Sequence, residues 1–342
     1  SDLSGRTTGT VDLRGLPDKA QGEVNLNAAQ GTIAGQSFDD LIVKAVFSGT
    51  TIDLQQGDMK IGAGRLTAKG TYDRGSTAFN FDLGGTTIPV PLLVALAPPN
   101  DAIPSITGDV DFTAKATGNS NATSSYNVNF SGSAPNVLVS ESSIGKVTFK
   151  GSTVNQMLTA DLTADLNGNP QVINALVNLG NDDLPFIVTT EFNQSPVAPF
   201  LAFIPQLKTI PITGTGTGRV EFGGNLSQLD SKGVRVFSAA GLSGTAAFSQ
   251  LALQVQDTPL SAAEPIMIRF STTEINFENA KFSGGGSNMT IAGTKALSEN
   301  GSNNLSIDGR VNMNLVNLFT KDTFFSGFAD ASVRLVGPNA TA

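Results

Sequence analysis

A short cassette returns along this chain, and its return constrains the fold more than any single residue does. It is clearest at 196–224, PVAPFLAFIPQLKTIPITGTGTGRVEFGG. A brief apolar helix is predicted first, then a Pro-punctuated link, then Ile-Thr-Gly, then an alternating strand closed by a second glycine. The two glycines, Gly214 and Gly224, stand ten residues apart, as do Gly5 and Gly15, Gly108 and Gly118, and Gly327 and Gly337. Apolar stretches precede three of the four pairs, at 90–97, 197–204 and 311–319. The copies begin 103, 106 and 113 residues apart. A period of this size marks a repeat architecture. The expected division is 1–107, 108–213 and 214–326, with 327–342 opening a fourth copy.

Between the cassettes the chain alternates with period two, the signature of strands with one apolar face. Leu41, Val43, Ala45 and Phe47 form one such run, and Ile52 and Leu54 another. Met59, Ile61 and Ala63 follow, then Leu66, Ala68, Gly70 and Tyr72. SGTT (48–51) and QQGD (55–58) are expected to supply turns between them. Later runs include Tyr126 to Phe130, Leu158 to Leu166, Ile266 to Phe270 and Leu305 to Met313. Gly284-Gly285-Gly286 is read as a bulge or tight bend. The spacing predicts roughly eight or nine short strands in each copy. The helices are short: Pro91 suits the first turn of one over 89–99 and Pro98-Pro99 stop it. A parallel α/β fold, which needs a crossover helix between strands, is therefore excluded.

Charge and reactive side chains narrow the function. Charged residues make up 15% of the chain, against about a quarter in a typical domain, and Ser, Thr, Asn and Gly take their place. The net charge of −8, without a basic run, argues against a nucleic-acid partner. The chain has no His and no Cys. Imidazole acid–base chemistry, thiolate nucleophiles and His or Cys metal sites are thus closed to it, and no catalytic residue, metal ligand or cofactor is expected. Asp39-Asp40 and Asp182-Asp183 fall at expected turns and read as solvated carboxylates, too sparse for calcium. TGTGTGRV (213–220) lacks the Lys-Ser/Thr ending and following helix of a phosphate loop, and Arg219 alternates within a strand. No apolar run is long enough to span a bilayer. The chain opens inside one copy of the cassette and stops inside another, so it reads as a segment of a longer protein.

An apolar face on every strand must be covered by something. A sandwich in each repeat, a closed β-helix, or a sheet curled into an open trough with a foreign filling would all satisfy the periodicity.

The cassette resembles the TamB branch of the AsmA-like proteins of double-membraned bacteria. The matching features are the short helix 197–204 before Pro205, the opening Ile212-Thr213-Gly214, and the strand up to Gly224. GAGRLTAKGTYD (62–73), SNMTIAGTKAL (287–297) and KFSGGGSNMTIAG (281–293) after EINFEN (274–279) are similar to that family's glycine-ended strands. The second copy has no clear counterpart of GAGRLTAKG. The resemblance implies an all-β fold: an elongated, curled, antiparallel-rich sheet enclosing an open apolar groove, built of repeats of about 105 residues with short helices. It implies a periplasmic segment that conducts phospholipid acyl chains between inner and outer membranes. An inner-membrane anchor and a TamA-type outer-membrane barrel partner would engage regions outside this chain. Two other readings stand beside it, a scaffold or chaperone for outer-membrane protein assembly and a structural or adhesive β-solenoid of a secreted protein.

The residues meet the resemblance at one point. A sheet with little helix to cover it leaves apolar surface for a ligand. Burying one CH₂ group is worth roughly 0.8 kcal/mol, so an acyl chain would be held by its length. The expected lining is Val43, Phe47, Ile52, Leu54, Val128, Phe130, Leu162 and Leu166, continuing through Val188, Phe192, Leu253, Val255, Ile268, Phe270, Phe277 and Ile291. The short helices are expected to plug or rim the groove or to cap the core.

Overall fold

The computed structural model describes residues 3–15, 19–33, 36–96, 105–139, 142–166, 168–198, 211–229, 235–298, 301–318 and 324–338. The chain is all-β, and every strand pairing described is antiparallel. It divides into two compact units. The first comprises 1–165, 174–185 and 227–238, the second 166–173, 186–226 and 239–342.

The first unit is a meander. Its strands are β1 (Leu3–Arg14), β2 (Ala20–Ile33), β3 (Gln36–Phe38), β4 (Asp40–Gly49), β5 (Thr51–Ile61), β6 (Gly64–Asp73) and β7 (Ala78–Pro89). Helix α1 (Val90–Leu96) follows, then β8 (Ile106–Thr107), β9 (Asp109–Asn119), β10 (Ala122–Val139), β11 (Ser142–Val154) and β12 (Met157–Leu166). The ladder runs β1-β2-β4-β5-β6-β7-β9-β10-β11-β12. The short strands β3 and β8 extend it at the ends of β2 and β10.

Along the rest of the chain come β13 (Asn169–Asn178), β14 (Pro185–Pro196), β15 (Ile212–Leu229), β16 (Arg235–Val255), β17 (Thr258–Ala262) and β18 (Ile266–Ser271). They are followed by β19 (Glu274–Gly284), β20 (Ser287–Ala296), β21 (Ser302–Asn312) and β22 (Phe328–Pro338). Within the second unit β16 pairs with β17 and β18, both pair with β19, and the ladder continues through β20 and β21 to β22.

Where the sequence predicts turns, the structure separates two cases. SGTT is a hairpin: Ser48 pairs with Thr51 across a two-residue loop whose Gly49 has φ 65°. Gly284-Gly285-Gly286 closes another, with Gly284 opposite Ser287 and φ of 55° and 79° at Gly285 and Gly286, the positive values that a tight primed turn requires. QQGD is not a turn. Strand β5 runs through it, and Gln55-Gln56 form a bulge that shifts the register between Leu54 and Gly57. The first copy holds eight strands, β1 to β8, as predicted; among the described residues the second and third copies hold fewer and longer ones. The run from Tyr126 to Val139 belongs to β10 alone, and β16 spans 21 residues. Of the second glycines, Gly15 follows β1 and Gly118 and Gly337 stand one residue from the ends of β9 and β22, whereas Gly224 lies well inside β15.

The cassette recurs in three dimensions through one hydrogen bond. The backbone N–H of Val90 donates to the Gly108 carbonyl at 2.9 Å, that of Val197 to Gly214 at 3.1 Å, and that of Met313 to Gly327 at 2.9 Å. Each donor opens an apolar segment and each acceptor is the first glycine of a pair. In two copies the approach matches further: Thr87 and Gln194 both have φ 52°, and each precedes an x-Pro-Val step. The Thr87 N–H donates to Asp111 Oδ1 and the Gln194 N–H to Thr217 Oγ1, each acceptor three residues beyond the cassette glycine. Helix α1 buries Leu92. The third apolar segment is a 3₁₀-helix, Met313–Leu318, which packs Leu315 against Val255 and Leu260. Beyond Val197 and Ala198, the helix expected at 197–204 lies outside the described residues.

Cores lie within each unit. Ala28, Phe38 and Met59 pack with Ile33, Leu41, Ile61 and Leu66 in the first. Ile266, Ala280 and Phe282 pack with Phe277, Met289 and Ile291 in the second. At the hairpin ends, Asp73 ties two turns together. It accepts from the Ser76 N–H at 2.7 Å, Ser76 Oγ at 2.9 Å, Thr50 Oγ1 at 2.8 Å and Thr51 Oγ1 at 3.1 Å. The Ser76 N–H, followed by the hydroxyls, holds its carboxyl well below the usual carboxylate range. With the folded value depressed, this contribution is complete above the unfolded value of about 4 and is lost as pH falls from there toward the folded value. Asp73→Asn is expected to flatten the loss of melting temperature between about pH 4 and pH 2. An unchanged acid slope in thermal melts would show that Asp73 does not contribute.

Candidate functional site

Residues directly opposite in an antiparallel ladder project to the same face. In the first unit this rule separates two chemistries. One row reads Leu26, Val43, Gly57, Ala68, Leu83, Ala114, Phe130, Gly151 and Ala160 across β2 to β12. Beside it run Val24, Ala45, Leu54, Gly70, Phe81 and Ala116. Flanking these are the row of Phe47, Ile52, Tyr72 and Phe79, and the row of Leu41, Met59, Leu66, Phe112, Phe149 and Leu162. Among the paired positions described on this face, from β2 to β12, there is no Asp, Glu, Lys or Arg.

The opposite face carries the charge. Arg65 pairs with Asp58 there, Lys115 with Asp82 at 3.6 Å and Lys150 with Asp161 at 3.9 Å. The Arg65 hydrogen bond lowers the Asp58 pKa and raises that of Arg65. This face also holds an open concavity of about 770 Å³ lined by Thr67, Thr113, Ser131, Lys150 and Asp161. Its floor is Gly84, where no side chain fills the gap between Thr67 and Thr113.

The apolar face is half-covered rather than sealed. Val43, Phe47, Ile52, Leu54, Val128, Phe130 and Leu162 are all partly buried, and Leu83 is 38% exposed. Burial deepens toward one end of the strands, where Met59, Ile88, Val110, Ala134, Val147 and Ala164 are buried. The rings on this face lie over glycines of neighbouring strands. Phe130 of β10 covers Gly151 of β11, and Phe149 of β11 covers Gly132 of β10, in adjacent rungs of one ladder. The two rings stand 6.2 Å apart. Phe112 covers Gly85, and Phe81 covers Gly70. A ring that lies down over a glycine shields backbone that would otherwise be bare, and it lowers the relief of the face.

The second unit repeats the arrangement. Val188 and Phe192 alternate on β14. Phe248 lies over Gly216 and Gly218 of β15 and meets Phe192 edge-to-face at 5.6 Å. The glycine-rich TGTGTGRV is therefore strand, and Arg219 pairs with Glu221 and Glu191. Ile268 stands opposite Phe277, Phe270 opposite Ile275, Leu253 opposite Leu260 and Ile291 opposite Ile307. The charged side chain among the described paired positions of this face is Lys295, whose Nζ donates to Asn303 Oδ1 at 3.0 Å.

Three of the expected lining residues belong elsewhere. Leu166, Phe192 and Val255 are 2%, 5% and 8% exposed. Neighbours within the chain cover them, as Leu260 and Leu315 cover Val255, so they are core rather than open lining. The remainder stay partly buried. The expected lining does not name Leu26, Leu66, Phe79, Phe81, Leu83, Phe112 or Phe149, although Leu66 stands in an alternating run read as apolar-faced, and the glycines beneath the rings were missed. The Phe and Gly composition was visible; which Phe faces which Gly depends on register. The acidic pairs are spent on turns: Asp39 Oδ2 accepts from the Gly62 N–H at 2.6 Å, and Asp183 pairs with Arg235 at 2.8 Å.

Comparison with protein-family models, curated proteins and solved structures returned no match.

A methyl group at Gly85 would meet the Phe112 ring first, and no backbone atom is among its nearest neighbours. Gly85→Ala should therefore destabilise the chain by about 1–3 kcal/mol. Adding Phe112→Leu should recover part of that loss in a denaturant melt; additive losses would show that the ring is not seated on the glycine.

Proposed function

We propose that this chain is a periplasmic segment of a bridge protein of the TamB/AsmA-like kind, which conducts phospholipid acyl chains along an apolar sheet face between inner and outer membranes. The observation that supports this most is the uncharged, half-covered face of the first unit. A face that is wide, continuous and free of charge suits a polymethylene chain, which needs apolar contact and offers no hydrogen bonds. The same lack of specific polar contacts favours sliding over tight capture. The recurrence in three places of the bond from the residue after a strand to the cassette glycine supports a repeated element, as a long conduit would require. An inner-membrane anchor and an outer-membrane barrel partner would lie in other parts of the full protein.

A scaffold for outer-membrane strands is the second reading, favoured by the apolar face alone, because such strands also present alternating apolar side chains. The cargo separates the two. A photoreactive benzoylphenylalanine at Leu54 or Val128, in cells of a double-membraned bacterium, is expected to yield phospholipid adducts by mass spectrometry. The same probe at Asp53 or Asn127, on the polar face, should yield few. Polypeptide adducts without lipid at Leu54 and Val128 would favour the scaffold, and equal lipid labelling of both faces would overturn the conduit.

A further inference from the structure

The apolar face of the first unit is ribbed, and the ribs run along the strands. On β9 its central side chains are Ala114 and Ala116, whereas β7 on one side presents Phe81 and Leu83 and β10 on the other presents Val128 and Phe130. The flanking rings lean away from β9: Phe81 lies over Gly70 of β6, and Phe130 over Gly151 of β11. The result is a furrow above Ala114 and Ala116. One end is closed where Phe79 and Tyr126 meet edge-to-face over Gly118, with centroids 5.3 Å apart at 82°. The other end meets Phe112, whose ring covers Gly85.

Geometry selects the occupant. The backbones of β7 and β10 lie two strand spacings apart, about 10 Å, before their side chains narrow the gap. A helix about 10–12 Å across does not enter such a furrow. A peptide strand would bring backbone N–H and C=O groups onto a surface with nothing to pair them. A single polymethylene chain fits both the width and the chemistry. The six residue steps from Phe112 to Gly118 span about 20 Å, the scale of an extended fatty-acyl chain.

We propose that the Ala114–Ala116 stretch of β9 is a discrete seat for one acyl chain, which lies parallel to the strand rather than across the ladder. This rests on the lipid reading above and adds to it that transport proceeds by steps between seats. Each rib, such as the one formed by Phe81 and Leu83, is then a barrier that the chain crosses sideways.

The test uses the whole chain with ¹³C-methyl alanine and 16-doxyl-stearic acid as the probe. The spin label is expected to broaden the methyl signals of Ala114 and Ala116 more strongly than those of Ala68 on β6 and Ala160 on β12, which share the face two and three strand spacings away. Equal broadening of Ala68, Ala114, Ala116 and Ala160 would overturn the seat while leaving the lipid reading in place. No broadening of any of the four would overturn both. Filling the furrow with Ala116→Leu is expected to weaken palmitic acid binding at least tenfold, and Thr117→Leu on the opposite face to leave it unchanged. If Ala116→Leu lowers the melting temperature, Ala116→Val carries the same comparison. Unaltered palmitate affinity in a folded furrow variant counts against the seat.

Discussion

The phase of the side-chain alternation governs this structure. Successive residues of a strand face opposite ways, so one unpaired residue would turn every later side chain over. The chain contains such residues and contains them in bulges. In β5 the apolar face passes from Leu54 to Gly57, an odd step, because Gln55-Gln56 stand against the single Lys69. In β7 it passes from Gly85 to Ile88 across Thr86-Thr87, and Asp111 holds the Thr87 N–H. In β19 it passes from Phe277 to Ala280. At each place the bulge absorbs the extra residue and returns the strand to the same face. Without those shifts Met59, Ile88 and Phe282 would point into water, and charged neighbours such as Lys60 and Lys281 would enter the apolar side.

Glycine and phenylalanine then set the texture of that side. A glycine inside a strand ordinarily weakens it, by entropy and by missing contacts. Here the loss is offset where a ring from the next strand lies across the gap, as Phe149 does over Gly132. The exchange of Phe130 and Gly151 with Gly132 and Phe149 also fixes register, because a slip of two residues one way would set Phe130 against Phe149 and a slip of two the other way would set Gly132 against Gly151. The face is thereby low and continuous in some places and furrowed in others. A ligand would find relief that follows the strands, which is the physical basis of the stepwise movement proposed for acyl chains.

The helix-to-glycine bond joins the cassette to this scheme. Each apolar segment begins where a strand ends, and its first N–H has no partner within a helical turn. The carbonyl of the cassette glycine supplies one in all three places. At Gly108 and Gly214 φ is 134° and 144°, and at Gly327 it is 88°. A side chain is rarely held in that region. A glycine adopts that backbone conformation without strain, and in the two described helices that follow such a bond, α1 and Met313–Leu318, Leu92 and Leu315 become core.

Much of this was legible in the amino-acid order. Alternation and the lack of long helices determined an all-β chain, the absence of His and Cys removed the chemistry that depends on them, and within the first unit Val43, Phe47, Ile52, Leu54, Val128, Phe130 and Leu162 lie on the uncharged face. The order of residues could not distinguish the Gln55-Gln56 bulge from a turn, because both interrupt the period with small or polar groups; only the pairing of β5 with β6 does. Nor could it say that Leu166, Phe192 and Val255 are sealed, or that Ala114 and Ala116 lie between two ribs. Those facts depend on which strand stands beside which and at what register. They arise from contacts between residues far apart in the chain, and a local period carries no record of them.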